Sequence, residues 1–140
     1  GGPAVPRGGI GVALLPRDRF GALRVDESGL GPGAYQAPVI VSELVTSSVT
    51  MPAGRPPRVF VNADGLGAGA TLRVELLDHN ERPVPGRVAT VGRSGFQVPV
   101  RWEGADTSAA PERVRFRIRF EGARRTAIRF HALYLLPPEE

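Results

Sequence analysis

The chain has 140 residues, a formal net charge of +4 and no cysteine. This length suits one domain that buries roughly two-thirds of its unfolded surface, and the lack of cysteine excludes disulfides and thiolate metal sites. No apolar run approaches the ~18 residues of a membrane-spanning helix, so we expect no membrane span. The 18 glycines and 14 prolines favour many short elements joined by turns over a few long helices.

In chain order, the first two predicted strands cover residues 10–15 and 20–25. A longer apolar run at 38–46 suits a strand that is covered on both faces. Further short segments rich in β-branched residues, or with apolar and polar residues in alternation, predict strands at 59–63, 71–76, 97–102, 113–121 and 128–134. A single helical turn is predicted around 107–112, where a serine or threonine could cap it.

The clearest alternation lies between Arg113 and Glu121. Four apolar side chains point one way, namely Val114, Phe116, Ile118 and Phe120, and four arginines point the other way, namely Arg113, Arg115, Arg117 and Arg119. A period of two fits a half-buried strand, whereas a helix would distribute the arginines around its circumference.

About nine strands with a turn signal every ten residues or so are typical of an all-β fold. We therefore predict one antiparallel β-sandwich, jelly-roll-like, with no long helix. The domain is expected to cover residues 9–136, with a flexible tail at 1–8 and a short C-terminal tail at 137–140.

The sequence contains little that suggests catalysis. His79 is expected in a solvated turn and His131 on the outward side of a strand, a pattern with no metal-ligand spacing. Asp64, Asp78 and Asp106 are read as turn-stabilising aspartates. The glycines of 65–69 precede a strand and not a helix, so they fit a hairpin connection better than a phosphate loop. We predict no catalytic residue, no metal site and no cofactor, and therefore no enzyme.

Two kinds of residue are candidates for ligand binding. Arg113, Arg115, Arg117 and Arg119 could hold an anionic polymer, since alternate residues of a strand lie ~7 Å apart on one face. The alternative is that acids of neighbouring strands, such as Glu43, Glu75 or Glu103, pair with them. Tyr35 and Phe96 are candidates for loop aromatic contacts, whereas the alternation of Trp102 with Val98 and Val100 places it on the buried side.

Several segments together resemble a known bacterial domain. They are V-A-L-L-P-R-D-R-F-G-A-L at 12–23, V-F-V-N-A-D at 59–64, T-L-R-V-E-L-L-D at 71–78 with P-V-P-G at 83–86, V-R-W at 100–102, and V-R-F-R-I at 114–118 with A-L-Y at 132–134. In this order they resemble the C-terminal β-sandwich region of bacterial proteins related to glycoside hydrolases and sialidase-like β-propellers. Two departures are Arg19, where the first motif has glycine, and R-V-A-T at 87–90, where the family has a polar segment.

The resemblance implies that catalysis belongs to a preceding propeller and that this domain is an accessory. We therefore predict a non-catalytic accessory module of a larger carbohydrate-active protein, which packs on a catalytic domain or binds glycan weakly. The alternative is a stand-alone structural or binding module that uses the arginine-rich face for an anionic glycan or other polyanion. The expected partners are the rest of a larger chain and carbohydrate, not nucleic acid, in an extracytoplasmic or secreted location.

Overall fold

The structure is a computed structural model that describes residues 21–26, 42–51, 57–104 and 111–138. In these residues it contains eight strands: β1 (Glu43–Val45), β2 (Val49–Thr50), β3 (Arg58–Asp64), β4 (Thr71–Asp78), β5 (Pro83–Val91), β6 (Gly95–Pro99), β7 (Arg113–Glu121) and β8 (Arg129–Leu136). A single turn of 3-10 helix spans Arg125–Ala127. The predicted all-β class is confirmed, and in the described residues no helix is long and apolar enough to cross a membrane.

The strands form two antiparallel sheets. The five-stranded sheet has the order β1-β7-β4-β5, and β2 pairs with β7 beyond the end of β1. The three-stranded sheet has the order β6-β3-β8. Only the β1–β2 and β4–β5 connections join strands of one sheet, so the other five connections between the described strands cross from one sheet to the other.

The hydrophobic core lies between the two sheets. The four apolar residues of β7 predicted to point inward are all buried, and so are Leu72, Val74 and Leu76 of β4. Val98 and Val100 are buried and Trp102 packs against the core, as their alternation predicts, although β6 ends at Pro99. The period of two therefore assigns the faces of these segments correctly.

Strand β5 is the longest element that the sequence does not predict, and the two-residue β2 is another. Residues 83–86 read as a turn because they contain Pro83, Pro85 and Gly86, yet β5 begins at Pro83. The pairing of β5 with β4 shifts register between Glu75 and Leu77, and Gly86 has a φ of 75°. Among the described strands β5 pairs with β4 alone, so its prolines need not donate hydrogen bonds to a second neighbouring strand.

A β-bulge in β8 overturns the face assigned to the end of that strand. Ala63 of β3 pairs with Phe130 but Asn62 pairs with Ala132, which leaves His131 as an extra residue. The alternation therefore changes phase: Phe130 points into the core, as expected, but Leu133 follows it inward. Tyr134, predicted to share the buried face of Phe130, instead lies opposite Phe60 on the outer face.

The N-terminal predictions are only partly covered by the described residues. Strand 10–15 and the tail 1–8 lie outside them. Of the predicted strand 20–25, Leu23 forms an isolated antiparallel bridge with Phe130, with N···O distances of 2.8 and 2.9 Å. The described part of 38–46 contains the three residues of β1, and most of the helical turn predicted at 107–112 lies outside the described residues.

Candidate functional site

The four arginines of β7 lie on the outward face of the five-stranded sheet, between strands that supply acids. Arg119 is opposite Glu43 of β1 and Arg73 of β4, and Arg117 is opposite Glu75 of β4. We call this surface, formed by Glu43, Arg73, Glu75, Arg113, Arg115, Arg117 and Arg119, the arginine face.

Glu75 is the centre of an ion-pair network on the arginine face. Arg117 donates to both of its carboxylate oxygens, with Nε to Oε1 at 3.2 Å and Nη2 to Oε2 at 3.1 Å. Arg119 Nη1 lies 3.8 Å and Arg73 Nε 3.7 Å from Oε1 of the same carboxylate. Glu43 adds a second acid, 3.6 Å from Arg119 Nε and 3.9 Å from Arg117 Nε.

This network shifts the pKa values of its two central groups. Burial alone raises the pKa of Glu75, but the hydrogen bonds from Arg117 and the charges of Arg117, Arg119 and Arg73 outweigh that effect, so the pKa lies below its ordinary value. The hydrogen bonds to Glu75 raise the pKa of Arg117 against the opposing effect of burial. Both groups are therefore held in their charged forms.

The remaining arginines of β7 differ in environment. The Nη1 of Arg115 donates to the carbonyl oxygen of Thr46 at 3.1 Å, whereas Arg113 is exposed. Leu77 lies opposite Arg115 on the same face and is fully buried. The pairing with Glu43 and Glu75 that the sequence left open is present for Arg117 and Arg119. Among the described residues Glu103 forms no ion pair with these arginines, and its backbone amide donates to the carbonyl oxygen of Val88 in β5.

The outward face of the three-stranded sheet is aromatic. Phe60 of β3 lies directly opposite Tyr134 of β8, and both side chains are half-buried. The ring of Phe96 in β6 contacts Tyr134 edge to face, with centroids 5.6 Å apart and an interplanar angle of 63°. We call these three rings, with Arg58 and Asn62, the aromatic face.

Polar groups accompany the rings on the aromatic face. The amide nitrogen of the buried Asn62 donates to the hydroxyl of Tyr134 at 3.2 Å. The guanidinium carbon of Arg58 lies 5.5 Å from the centroid of the Phe60 ring, which is a cation–π arrangement. The Nε of Arg58 donates to the carbonyl oxygen of Pro137 at 3.0 Å. The arrangement combines apolar ring surface with hydrogen-bonding groups, the combination that small-molecule sites use to fix a ligand's orientation.

Of the three aromatic rings of this face, one was a candidate from the sequence and two were not. Phe96 was a candidate, and it lies half-buried beside Tyr134. Phe60 could have been found, because it alternates with the buried Val59 and Val61. Tyr134 could not, because the bulge at His131 leaves no signature in the sequence. Tyr35, the other aromatic candidate, lies outside the described residues.

The residues judged unpromising for catalysis have structural roles. Asp78 accepts hydrogen bonds from the amides of Asn80 and Arg82, so it stabilises the turn in which His79 is exposed. The same hydrogen bonds, that from Arg82 first, lower the pKa of Asp78. Asp64 accepts from the amide of Gly65, while His131 Nδ1 lies 2.9 Å from the carbonyl oxygen of Gly21.

In the part of the chain that the structure describes, no three histidine, aspartate or glutamate side chains are grouped so as to hold a metal ion. Comparison with protein-family models, with curated proteins and with solved structures finds no match. The resemblance to propeller-associated β-sandwich domains therefore stays a prediction from motifs.

Proposed function

We propose that this domain is a non-catalytic accessory module of a larger carbohydrate-active protein and that its aromatic face contacts glycan. The observation that carries the proposal is the cluster of Phe60, Phe96 and Tyr134 on the outward side of the three-stranded sheet. Partly exposed aromatic rings offer an apolar surface to the C–H face of a pyranose ring. The Tyr134 hydroxyl and the Arg58 guanidinium lie beside the rings, where sugar hydroxyls would need partners.

The arginine face supports ligand binding less well. Arg117 and Arg119 are engaged by Glu43 and Glu75, so an incoming anion would have to displace or outcompete two carboxylates. The carboxylates also reduce the positive potential that attracts a polyanion. For these reasons the aromatic face, and not the arginine face, is the basis of the proposal.

The experiment is a glycan-array screen of the chain, followed by titration of each bound glycan with three proteins. These are the unsubstituted chain, Phe96→Ala and Arg113→Ala. We expect Phe96→Ala to weaken binding about tenfold, because a stacking surface is lost. Arg113→Ala, a substitution at an exposed position on the opposite side of the sandwich, should leave affinity unchanged.

Two results would contradict the proposal. One is that no glycan binds although the unfolding transition shows a folded domain. The other is that Arg113→Ala weakens binding while Phe96→Ala does not, which would favour the arginine face. Thermal unfolding of each variant verifies that a loss of affinity is not a loss of structure.

A further inference from the structure

One end of the sandwich carries arginines that lie outside the ion-pair network of the arginine face. Thr71, the first residue of β4, pairs with Glu121, the last residue of β7, and Leu72 pairs with Val91, the last residue of β5. The β3–β4, β5–β6 and β7–β8 connections therefore lie at the same end. Counted with the strand ends that flank them, these connections carry four arginines and two carboxylates: Arg93, Arg124, Arg125 and Arg129, with Asp64 and Glu121. We call this surface the basic end.

The opposite end has no such excess. Counted in the same way, its β4–β5 connection and the described parts of its β2–β3 and β6–β7 connections carry four arginines and four carboxylates. They are Arg58, Arg82, Arg101 and Arg113, with Asp78, Glu81, Glu103 and Glu112. The charge is therefore distributed asymmetrically along the strand direction.

Arg129 of the basic end has partners of a different kind from those of Arg117 and Arg119 on the arginine face, which pair with carboxylates. Arg129 Nη1 donates to the carbonyl oxygens of Thr126 and Ile128, at 3.0 and 3.2 Å. Neutral carbonyls fix the position of a guanidinium without cancelling its charge. Arg93 and Arg124 are exposed and, in the described part of the chain, form no ion pair.

The backbone of the basic end is held together by hydrogen bonds between its connections. The amide of Leu66 donates to the hydroxyl of Ser94 at 2.9 Å, which ties the β3–β4 connection to the β5–β6 connection. The amide of Arg124 donates to the carbonyl oxygen of Gly69 at 2.7 Å, and this hydrogen bond joins the β3–β4 connection to the β7–β8 connection. A fixed backbone lowers the ordering cost of binding at this surface.

The basic end borders the aromatic face. Phe96 follows Arg93 by three residues and is the second residue of β6, next to the end of the β5–β6 connection. Arg129 lies opposite Asp64 and next to the inward-pointing Phe130, so it begins β8 on the same outward side as the aromatic rings. A sugar chain in contact with Phe96 would therefore have these guanidinium groups beside it.

We propose that the glycan bound by this domain is acidic and that its carboxylate or sulfate groups bind at the basic end. This inference rests on the proposed glycan contact and specifies its ligand class. A guanidinium offers two parallel N–H donors that match the oxygens of a carboxylate or sulfate, so arginine is well suited to both. Arg93 and Arg124 are the residues expected to contribute the most affinity.

The test compares oligosaccharides of equal length that are neutral, uronic-acid-containing or sulfated, at low and moderate salt. The proteins are the unsubstituted chain, the double variant Arg93→Ala/Arg124→Ala and the matched control Arg82→Ala/Arg101→Ala, which removes two charges from the opposite end. We expect acidic oligosaccharides to bind in preference to neutral ones, with affinity that falls as salt rises. The first double variant should bind them at least about tenfold more weakly, and the control should not.

The outcomes separate this inference from the proposed function. If neutral oligosaccharides bind as tightly as acidic ones and Phe96→Ala weakens both, the glycan contact is supported and the acidic specificity is wrong. If no oligosaccharide binds, the proposed function itself fails. Equal losses in the two double variants, or equally tight binding of single-stranded DNA of matched charge, would show a general charge effect and overturn the basic end as a site.

Discussion

At the scale of single residues, Glu75 shows why a buried acid is retained on an outward face. It is 8% exposed and has three arginines around it. Placing a carboxylate there costs desolvation free energy, which the two hydrogen bonds from Arg117 offset. Glu75 therefore reduces the repulsion between Arg117 and Arg119 on a strand whose outward face is a row of like charges.

We predict that Glu75→Gln lowers the free energy of unfolding by about 1–3 kcal/mol, because it removes charge-assisted hydrogen bonds and leaves Arg117 without its main partner. Urea titration at neutral pH measures this change. Glu121→Gln is the control, since Glu121 ends β7, the strand of Arg117, at an exposed position. Equal losses in the two variants would show that the network around Glu75 contributes nothing specific.

The lowered pKa of Glu75 also predicts a dependence of stability on pH. The contribution of this carboxylate is fully present above its unfolded-state pKa, near 4.5, and is lost as the pH falls through the lower pKa of the folded state. The unsubstituted chain should therefore lose more stability than Glu75→Gln between neutral pH and pH 3. Parallel pH profiles of unfolding free energy for the two proteins would contradict this account.

The two faces of β7 predict opposite responses to the same substitution. Phe116 is fully buried, so Phe116→Asp would place an unpaired charge in the core and cost at least ~4 kcal/mol. We expect no folded protein by circular dichroism. Arg113→Asp, three residues earlier at an exposed position, should fold normally, and unfolding of this variant would show that the face assignment is wrong.

At the scale of elements, glycines allow the β3–β4 connection to pack against the β7–β8 connection. Gly65 has a φ of 76°, and a Cβ at this position would collide with the carbonyl of Ala127. Gly122 has a φ of 104°, and a Cβ there would collide with the carbonyl of Gly69. The prediction of a hairpin connection at 65–69 is wrong, because β3 and β4 lie in different sheets, although Gly65 and Gly69 do have positive φ values.

We therefore predict that Gly65→Ala destabilises the domain by about 1–3 kcal/mol, through backbone strain and displacement of the 3-10 turn. Gly67→Ala, in the same connection, is the matched control, because a Cβ there meets nothing within 4 Å. Differential scanning calorimetry would show the difference as a lower Tm for the first variant alone. Equal Tm values would mean that the connection can shift at little cost.

Local alternation could be read from the sequence only where the strands are regular. β7 was predicted with its bounds and both faces, because no proline, glycine or bulge interrupts it. β5 was missed because Pro83, Pro85 and Gly86 are typical of turns, and their tolerance depends on the position of β5 in the sheet, a tertiary property. The bulge at His131 is likewise fixed by pairing with β3.

The same limit applies to the candidate surfaces. The arginines of β7 were identified from their spacing, but their pairing with Glu43 and Glu75 depends on which strands flank β7. Phe96 was identified without its neighbours, because Phe60 and Tyr134 are distant in sequence and meet only through the β3–β8 pairing. Composition and periodicity locate side chains on faces, whereas the assembly of a surface needs the strand order.

At the scale of the whole molecule, the two outer faces of the sandwich differ in chemistry. The five-stranded sheet presents paired charges, and the three-stranded sheet presents aromatic rings that border the basic end. Pairing with Glu43 and Glu75 lowers the attraction of Arg117 and Arg119 for an anion. In the part of the chain that the structure describes, Arg93 and Arg124 form no ion pair, so apolar and charged contacts can act together where the basic end meets the aromatic rings.

The most direct test of the proposed function is a two-dimensional ¹H–¹⁵N NMR titration of the chain with a glycan that binds on the array. We predict that the largest shift changes lie in β3, β6 and β8, around Phe60, Phe96 and Tyr134, and extend into the adjoining connections. Changes concentrated in β1, β4 and β7, around Glu75 and Arg117, would place the ligand on the arginine face and contradict the proposal.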